Sequence, residues 1–195
     1  LITGIGQGYT QTTPLQLCQM TAQLANGGFK IYPKIIVDEN SKTAKDIKFI
    51  MSENSKNASK ENKGLKEASK LLGFLDKKKH EHLFKDPKNI KLVREAMFAS
   101  TNEIRGTSYS SRIEDPKYQF AGKTGTSQVK RITKAARELD LKTPEIPYNE
   151  RDHALYIAFG PYKNPRYALS VVIEHGGSGS STAAPIAEKL FKLII

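Results

Sequence analysis

Apolar residues along the chain follow a helical spacing in some segments and a strand-like pattern in others, with polar loops between them. In chain order, the pattern predicts helices at residues 14–25 and 87–102, strands at 119–129, 154–160 and 167–174, and a helix at 183–195. The short turn between the last two strands predicts an antiparallel hairpin.

Capping residues support the predicted helix boundaries. Pro14 follows a threonine that can cap a helix, and Pro87 follows Asp86. Gly27 and Gly28 can adopt the left-handed conformation that ends a helix. The core-facing residues predicted from helical spacing are Ile90, Val93, Met97 and Phe98 in the second helix, and Ile186, Leu190, Leu193 and Ile194 in the last helix.

Helices followed by hairpin-connected strands predict an α+β fold, in which helices cover an antiparallel sheet. A chain of 195 residues corresponds to one domain or a large part of one. Three strands make a small sheet for this number of helices, and the chain starts inside a glycine-rich segment. We therefore expect a fragment, with further strands preceding Leu1.

A lysine-rich stretch interrupts the pattern at about residues 38–85. Residues 41–91 contain fourteen lysines, no arginine and seven acidic residues, and therefore supply +7 of the formal net charge of +11. Recognition of nucleic acids relies on arginine forks and interleaved aromatic residues, and this stretch has few aromatics. We interpret it as a low-complexity, solvated surface insertion with one short helix at 65–75.

Several smaller features narrow the class of protein. Cys18 is the single cysteine and lies in a helical apolar pattern, so it is interpreted as a buried small hydrophobic residue. His80 and His82 have no third ligand at a suitable spacing, and no metal site is expected there. No apolar run in the sequence is long enough to span a membrane, and we expect no signal peptide within these residues. A further short helix is predicted at 132–139.

The candidate chemistry lies on the strand at 119–129, where Lys123-Thr124-Gly125-Thr126 follows Gly122. Glycine weakens a strand and often marks the close approach of a ligand. A lysine cation beside threonine hydroxyls suits a bound carboxylate. Because alternation places Lys123 and Thr124 on opposite faces, both serve one ligand only at the edge of a sheet. The alternative is a surface strand with a solubilising lysine.

Seven motifs in a fixed order resemble the transpeptidase domain of penicillin-binding proteins, whose signature includes K-T-G. The resemblance is closest to class B members of the rod-elongation type, the penicillin-binding protein 2 group. It covers nearly the whole chain except about residues 38–85. The motifs are GIGQG at 4–8, a Thr-Pro-capped helix ending in NGG at 26–28, Gly106-Thr107, GKTGT at 122–126, and the strand-flanking segments NERDHA at 149–154, AFGPY at 158–162 and EHGG at 174–177.

The resemblance implies a partial β-lactamase/transpeptidase-like fold, with helices on both faces of an antiparallel sheet. It also implies roles for four residues. Lys123 would support proton transfer and hold the substrate carboxylate, and the Thr124 hydroxyl would bind the same carboxylate. Gly125 would let the substrate backbone approach, and the backbone N–H of Thr126 would contribute to the oxyanion hole. No metal or organic cofactor is implied.

In this family the nucleophile motif S-x-x-K and the S-x-N motif precede the glycine-rich segment, so we expect both to lie before Leu1. Formal matches within the chain are interpreted as coincidental. Ser127 and Lys130 fit S-x-x-K but follow K-T-G on the same strand. The two S-x-N matches fall in the low-complexity insertion, at 52–54 and 55–57.

The resemblance implies a serine-type DD-transpeptidase that cross-links peptidoglycan stem peptides and is acylated by β-lactam antibiotics. The expected location is the bacterial cytoplasmic membrane, with this domain on the periplasmic side. A polytopic glycan polymerase of the elongation complex is the expected partner. Two alternatives stay open: a non-catalytic peptide-binding relative of the same fold, and a basic nucleic-acid-binding module.

Overall fold

The computed structural model describes residues 11–33, 81–130 and 143–195. The chain divides into two compact units, one formed by Leu1–Gly28 with Asp86–Ile195 and the other by Phe29–Lys85. The strands and helices described below belong to the first unit. The predicted helices at 65–75 and 132–139, the glycine-rich start and the two S-x-N matches lie outside the described residues.

The predicted antiparallel sheet is present. Its strands are β1 (Ala121–Ser127), β2 (His153–Gly160) and β3 (Tyr167–Ile173), and they lie in the order β1-β2-β3 with both pairs antiparallel. The β1 strand is shorter than the predicted 119–129, and β2 and β3 agree with the prediction to within one residue at each end. Within the described part of the chain, β1 forms one edge of the sheet.

In the part of the chain that the structure describes, three α-helices accompany the sheet: α1 (Pro14–Ala25), α2 (Pro87–Asn102) and α3 (Ala184–Ile194). The predicted caps of α1 and α2 are confirmed. Thr13 and Gln16 form a reciprocal capping box, with N···O distances of 2.8 and 3.2 Å. Asp86 accepts a hydrogen bond from the backbone N–H of Lys88 at 2.9 Å.

The helices pack on both faces of the sheet and produce three layers. On one face, α1 and α2 pack through a buried cluster of Leu24, Ala25, Ile90, Met97, Ala121 and Phe159. On the other face, α3 packs through a cluster that includes Phe120, Tyr156, Ala158, Ala184, Ala187 and Phe191. Consecutive strand residues alternate between the two clusters, as the two-residue period of a strand requires. The predicted α+β fold class is confirmed.

The predicted core face of α2 is wrong at one position. Val93 is 40% exposed, whereas Ile90 and Met97 are buried and Phe98 is half-buried. The side chain that occupies the intervening helical turn on this face is Arg94, whose guanidinium lies over the rings of Phe159 and Tyr162. A guanidinium is attracted to the face of an aromatic ring, so an arginine occupies an inward-facing position that the pattern of apolar residues did not predict.

The predicted core face of α3 is also wrong. Ile186, Leu190, Leu193 and Ile194 are all at least 36% exposed, and the buried residues are Ala184, Ala187 and Phe191. The two alanines let the helix approach the sheet closely, and the Phe191 ring stacks on Phe120 with a centroid distance of 4.7 Å. A π-helical turn at Gly179–Ala183 precedes the helix, and its N-cap residue is Ala183, which makes no side-chain capping hydrogen bond.

Cys18 is half-buried and points towards β3, where its Sγ donates to the Ala168 carbonyl at 3.4 Å. Desolvation raises the pKa of the Cys18 thiol above its usual value.

The described residues of the second unit make a small local contact. There, Phe29 and His82 form an isolated antiparallel bridge, and Lys30 pairs with Glu81 at 3.1 Å. No helix within the described ranges is long and apolar enough to cross a membrane.

Substitutions on the two faces of α3 should differ in how far they lower the free energy of unfolding. Phe191→Ala should lower the free energy of unfolding by about 3–5 kcal/mol, because the ring is fully buried against Phe120. Leu193→Ala should change it by less than about 0.5 kcal/mol, because Leu193 is 81% exposed. Urea unfolding of both variants measures the difference, and equal destabilisation would contradict the observed orientation of α3.

Candidate active site

The K-T-G strand places its two polar side chains together at the edge of the sheet. The Lys123 ammonium lies 2.7 Å from the Thr124 carbonyl oxygen and 3.5 Å from the Thr124 hydroxyl. Lys123 is exposed and Thr124 is half-buried. The edge position therefore allows both side chains to reach one point, although they leave the strand on opposite faces. A cation and a hydroxyl presented together can bind a carboxylate.

Gly122 is required by a buried tyrosine that crosses β1. A Cβ atom at Gly122 would lie only 2.2 Å from the Tyr156 hydroxyl oxygen. This hydroxyl is within hydrogen-bond distance of the Thr101 hydroxyl at 3.0 Å and of the Ser108 hydroxyl at 2.9 Å. All three side chains are fully buried. The cluster fixes β1 and β2 against the C-terminal end of α2 and the turn that follows it.

The turn after α2 brings a further hydroxyl to the K-T-G strand. A Cβ atom at Gly106 would lie 2.3 Å from the Ser100 carbonyl, so only glycine allows the turn to fold back on the helix. As a result, the Thr107 hydroxyl lies 3.2 Å from that of Ser100 and 3.3 Å from that of Thr124. Gly106-Thr107 is therefore in direct contact with the K-T-G motif.

Gly125 is packed against the loop that precedes α3. A Cβ atom at Gly179 would lie 2.6 Å from the Gly125 carbonyl and 2.5 Å from the Leu155 carbonyl. The backbone of the loop thus rests directly on the paired backbones of β1 and β2. This contact supports the K-T-G strand from the face that α3 covers.

The motif segments at 149–154 and 174–177 meet at the end of the sheet where β1 finishes. The backbone N–H of His175 donates to His153 Nδ1 at 2.9 Å, and the two rings lie 4.8 Å apart. His175 Nδ1 donates to the Arg151 carbonyl at 3.0 Å, since a carbonyl only accepts. His153 is opposite Ser127 in the β1–β2 register. These contacts hold together the end of the sheet beside Thr126.

The S-x-x-K match at 127–130 lacks the geometry of a catalytic pair. Ser127 is the last residue of β1, and Lys130 lies beyond the strand, where its ammonium pairs with Glu150 at 2.9 Å. A helical turn, which would bring these two side chains together, is absent at these residues. The interpretation of this match as coincidental therefore has structural support.

A cavity of about 440 Å³ opens at the other end of the strand and is distant from the K-T-G motif. Its lining includes Ile90, Arg94 and Tyr162. Tyr162 is hydrogen-bonded to Gln119, which precedes β1. The chemistry-bearing side chains of β1 lie towards the opposite end, so we do not place the active site in this cavity.

The sequence predicted roles for Lys123, Thr124, Gly125 and Thr126, and it predicted none for the surrounding hydroxyl groups. The structure adds two contacts between hydroxyl groups, one between Ser100 and Thr107 and one between Thr101 and Ser108. Each pair is separated by seven residues, and Gly106 lies between them. In the sequence, the repeated seven-residue spacing of hydroxyl residues around a glycine was the signal that could have pointed to these contacts.

Comparison with known proteins places the chain in a family. The penicillin-binding protein transpeptidase domain matches residues 1–192, and the chain belongs to this family. Among its members, peptidoglycan D,D-transpeptidase MrdA of Salmonella typhimurium is 35% identical over 188 residues, which cover 96% of this chain and 25% of that protein. The chain thus spans about a quarter of the length of the curated relatives it matches.

Solved structures of penicillin-binding proteins are also similar to this chain. PBP2 of Pseudomonas aeruginosa, in complex with WCK 5153, is 30% identical with a TM-score of 0.58, and the match covers 98% of this chain and 31% of that one. PBP2 of Helicobacter pylori, in complex with MreC, shares the fold with a TM-score of 0.66 at 24% identity, covering 100% and 26% of the two chains. The resemblance to penicillin-binding protein 2 found in the sequence is confirmed.

The buried hydroxyl cluster around Tyr156 predicts a stability effect of its own. Tyr156→Phe should lower the free energy of unfolding by about 0.5–1.5 kcal/mol, because it removes the hydrogen bonds that the phenol makes with Thr101 and Ser108. Both residues keep their contact with each other and their hydrogen bonds to backbone carbonyls. Tyr148→Phe is the matched control, since Tyr148 is 64% exposed. Urea unfolding measures both, and an equal effect in the two variants would contradict the role of the cluster.

The same substitution should show a dependence on pH. Burial raises the pKa of the Tyr156 phenol above its usual value, and hydrogen bonds from Ser108 and Thr101 partly oppose this. The folded state therefore retains the phenol proton to a higher pH than the unfolded state. The associated stability is complete below about pH 10 and is lost as the pH rises further. The difference in stability between wild type and Tyr156→Phe should narrow above that pH.

Proposed function

We propose that this chain is part of a peptidoglycan D,D-transpeptidase and supplies the wall of the active site that binds the stem peptide. The observation that supports this most directly is the meeting of the Lys123 ammonium and the Thr124 hydroxyl at the edge of the sheet. The family membership of the chain and the names of its relatives agree with this function.

In this proposal, Lys123 and Thr124 bind the carboxylate at the C-terminus of the D-Ala-D-Ala stem. Both would donate hydrogen bonds to it, and charge-assisted bonds are stronger than neutral ones. Gly125, which has no side chain, leaves room for the peptide backbone along the strand. The backbone N–H of Thr126 is proposed as one oxyanion-hole donor, and such a donor lowers a barrier by roughly 3–4 kcal/mol.

The nucleophile is proposed to lie outside these 195 residues, in a segment that precedes them in the full-length gene product. In the reaction, a serine oxygen would attack the D-Ala-D-Ala carbonyl and release D-alanine, forming an acyl-enzyme. An amine of a neighbouring stem would then attack the ester, restore the serine hydroxyl and complete the cross-link. Lys123 would assist the proton transfers of these steps.

The cellular setting follows from the same proposal. A peptidoglycan cross-linking enzyme of the rod-elongation type would act at the cytoplasmic membrane, with this domain on the periplasmic side. Its proposed partners are stem peptides, β-lactam antibiotics and a polytopic glycan polymerase. These parts of the proposal rest on the family alone.

The 195-residue chain by itself should form no covalent adduct with a fluorescent penicillin, because the nucleophile is proposed to lie elsewhere. The full-length gene product should form one. Denaturing gel electrophoresis after incubation with the fluorescent penicillin measures both. A stable adduct on the 195-residue chain would overturn the proposed location of the nucleophile.

Substitution of the K-T-G lysine tests the proposed wall of the active site. In the full-length gene product, Lys123→Ala should slow acylation by penicillin roughly a hundred-fold or more, because it removes a group that assists proton transfer and binds the carboxylate. Lys130→Ala is the matched control, since Lys130 follows on the same segment but pairs with Glu150. Stopped-flow acylation kinetics would contradict the role of Lys123 if the two variants slowed equally.

A further inference from the structure

Three hydroxyl groups form a row that ends at the proposed carboxylate-binding side chain. The row consists of Ser100 at the end of α2, Thr107 in the following turn and Thr124 on β1. The hydroxyl oxygens are 3.2 Å apart between Ser100 and Thr107, and 3.3 Å apart between Thr107 and Thr124. Each contact fits a hydrogen bond in either direction, because a hydroxyl both donates and accepts.

The direction of these hydrogen bonds decides what Thr124 can offer a ligand. A hydroxyl has one proton, and a carboxylate only accepts hydrogen bonds. If Thr124 donated to Thr107, it would have no proton left for a carboxylate. If Thr107 donates to Thr124, the proton of Thr124 is available to the ligand. The Lys123 ammonium, 3.5 Å from the Thr124 oxygen, can only donate and favours a Thr124 proton that points away from it.

We propose that Thr107 is a positioning residue that donates to the Thr124 hydroxyl and so turns the Thr124 proton towards a bound carboxylate. Ser100 completes the row by donating to Thr107. The inference rests on the proposed role of Thr124 as a ligand of the stem-peptide carboxylate. Hydrogen bonds aligned in one direction polarise each other, which strengthens the last donor in the row.

A second group of hydroxyls beside the row shows why Thr107 is distinct. Thr101, Ser108 and Tyr156 meet in the same turn but are fully buried, and their substitution is expected to affect stability. Thr107, by contrast, is exposed at the edge of the sheet. Gly106 allows the turn to place Thr107 there, because any side chain at that position would collide with the Ser100 carbonyl.

The test compares a penicillin with its methyl ester, which lacks the anionic carboxylate, in acylation of the full-length gene product. Thr107→Val keeps the shape of the side chain but removes the donor. It should lower the second-order rate of acylation by the penicillin by roughly three- to ten-fold, because the hydrogen bond that it removes joins two neutral hydroxyls. The rate with the methyl ester should stay nearly unchanged. Thr107→Ser, which keeps a hydroxyl, should restore most of the preference for the penicillin.

Equal slowing with penicillin and ester in Thr107→Val, or no slowing with either, would overturn the inference. Thr124→Val separates this result from a failure of the proposed function. If Thr124→Val loses the preference for penicillin and Thr107→Val does not, only the role of Thr107 is wrong. If Thr124→Val also keeps the preference, the proposed carboxylate site itself is wrong.

Ser100→Ala provides a second variant should Thr107→Val fail to fold. It removes the far end of the row and leaves the hydroxyls of Thr107 and Thr124 in place. It should lower the preference for penicillin over the ester in the same direction, by a smaller factor. An unchanged preference in Ser100→Ala would count against an aligned row of hydrogen bonds.

Discussion

The passage of the Tyr156 side chain over Gly122 is the contact on which the arrangement of the candidate site depends. It leaves no room for any side chain at that position of β1, and it carries the phenol to the hydroxyls of Thr101 and Ser108. A buried hydroxyl without a partner is costly, so the strand, the end of α2 and the following turn are held in one arrangement. These buried contacts thereby fix the position of the K-T-G strand, whose polar side chains lie at its edge.

Two further close backbone contacts help to fix the K-T-G strand, and both depend on glycine. Gly106 brings the turn with Thr107 against the end of α2, and Gly179 lets the loop before α3 rest on the backbone of Gly125. The glycines that frame the motif therefore serve packing on three sides. The proposed binding groups of Lys123 and Thr124 stay at the open edge, where a peptide could lie along the strand.

The sequence predicted the fold class, the three strands, the hairpin between the last two and the start of α1 and α2, because hydrophobic periodicity and capping residues are local signals. It was wrong at one position of the inward face of α2 and on the whole inward face of α3. Arg94 packs inward with its guanidinium over two aromatic rings, and α3 buries alanines and Phe191 while larger residues such as Leu190 stay exposed. Which apolar stripe is buried depends on what the rest of the fold places opposite, and periodicity alone does not contain that information.

The candidate site was predictable in part for the same reason. K-T-G is a local motif, so the sequence alone could propose Lys123 and Thr124 as site residues, whereas the contact of Thr107 with Thr124 joins residues seventeen positions apart. A crystal structure of the full-length gene product acylated by penicillin tests the central claim most directly. The account predicts a penicillin carboxylate within hydrogen-bond distance of the Thr124 hydroxyl and the Lys123 ammonium. A carboxylate bound elsewhere, with neither group in contact, would contradict it.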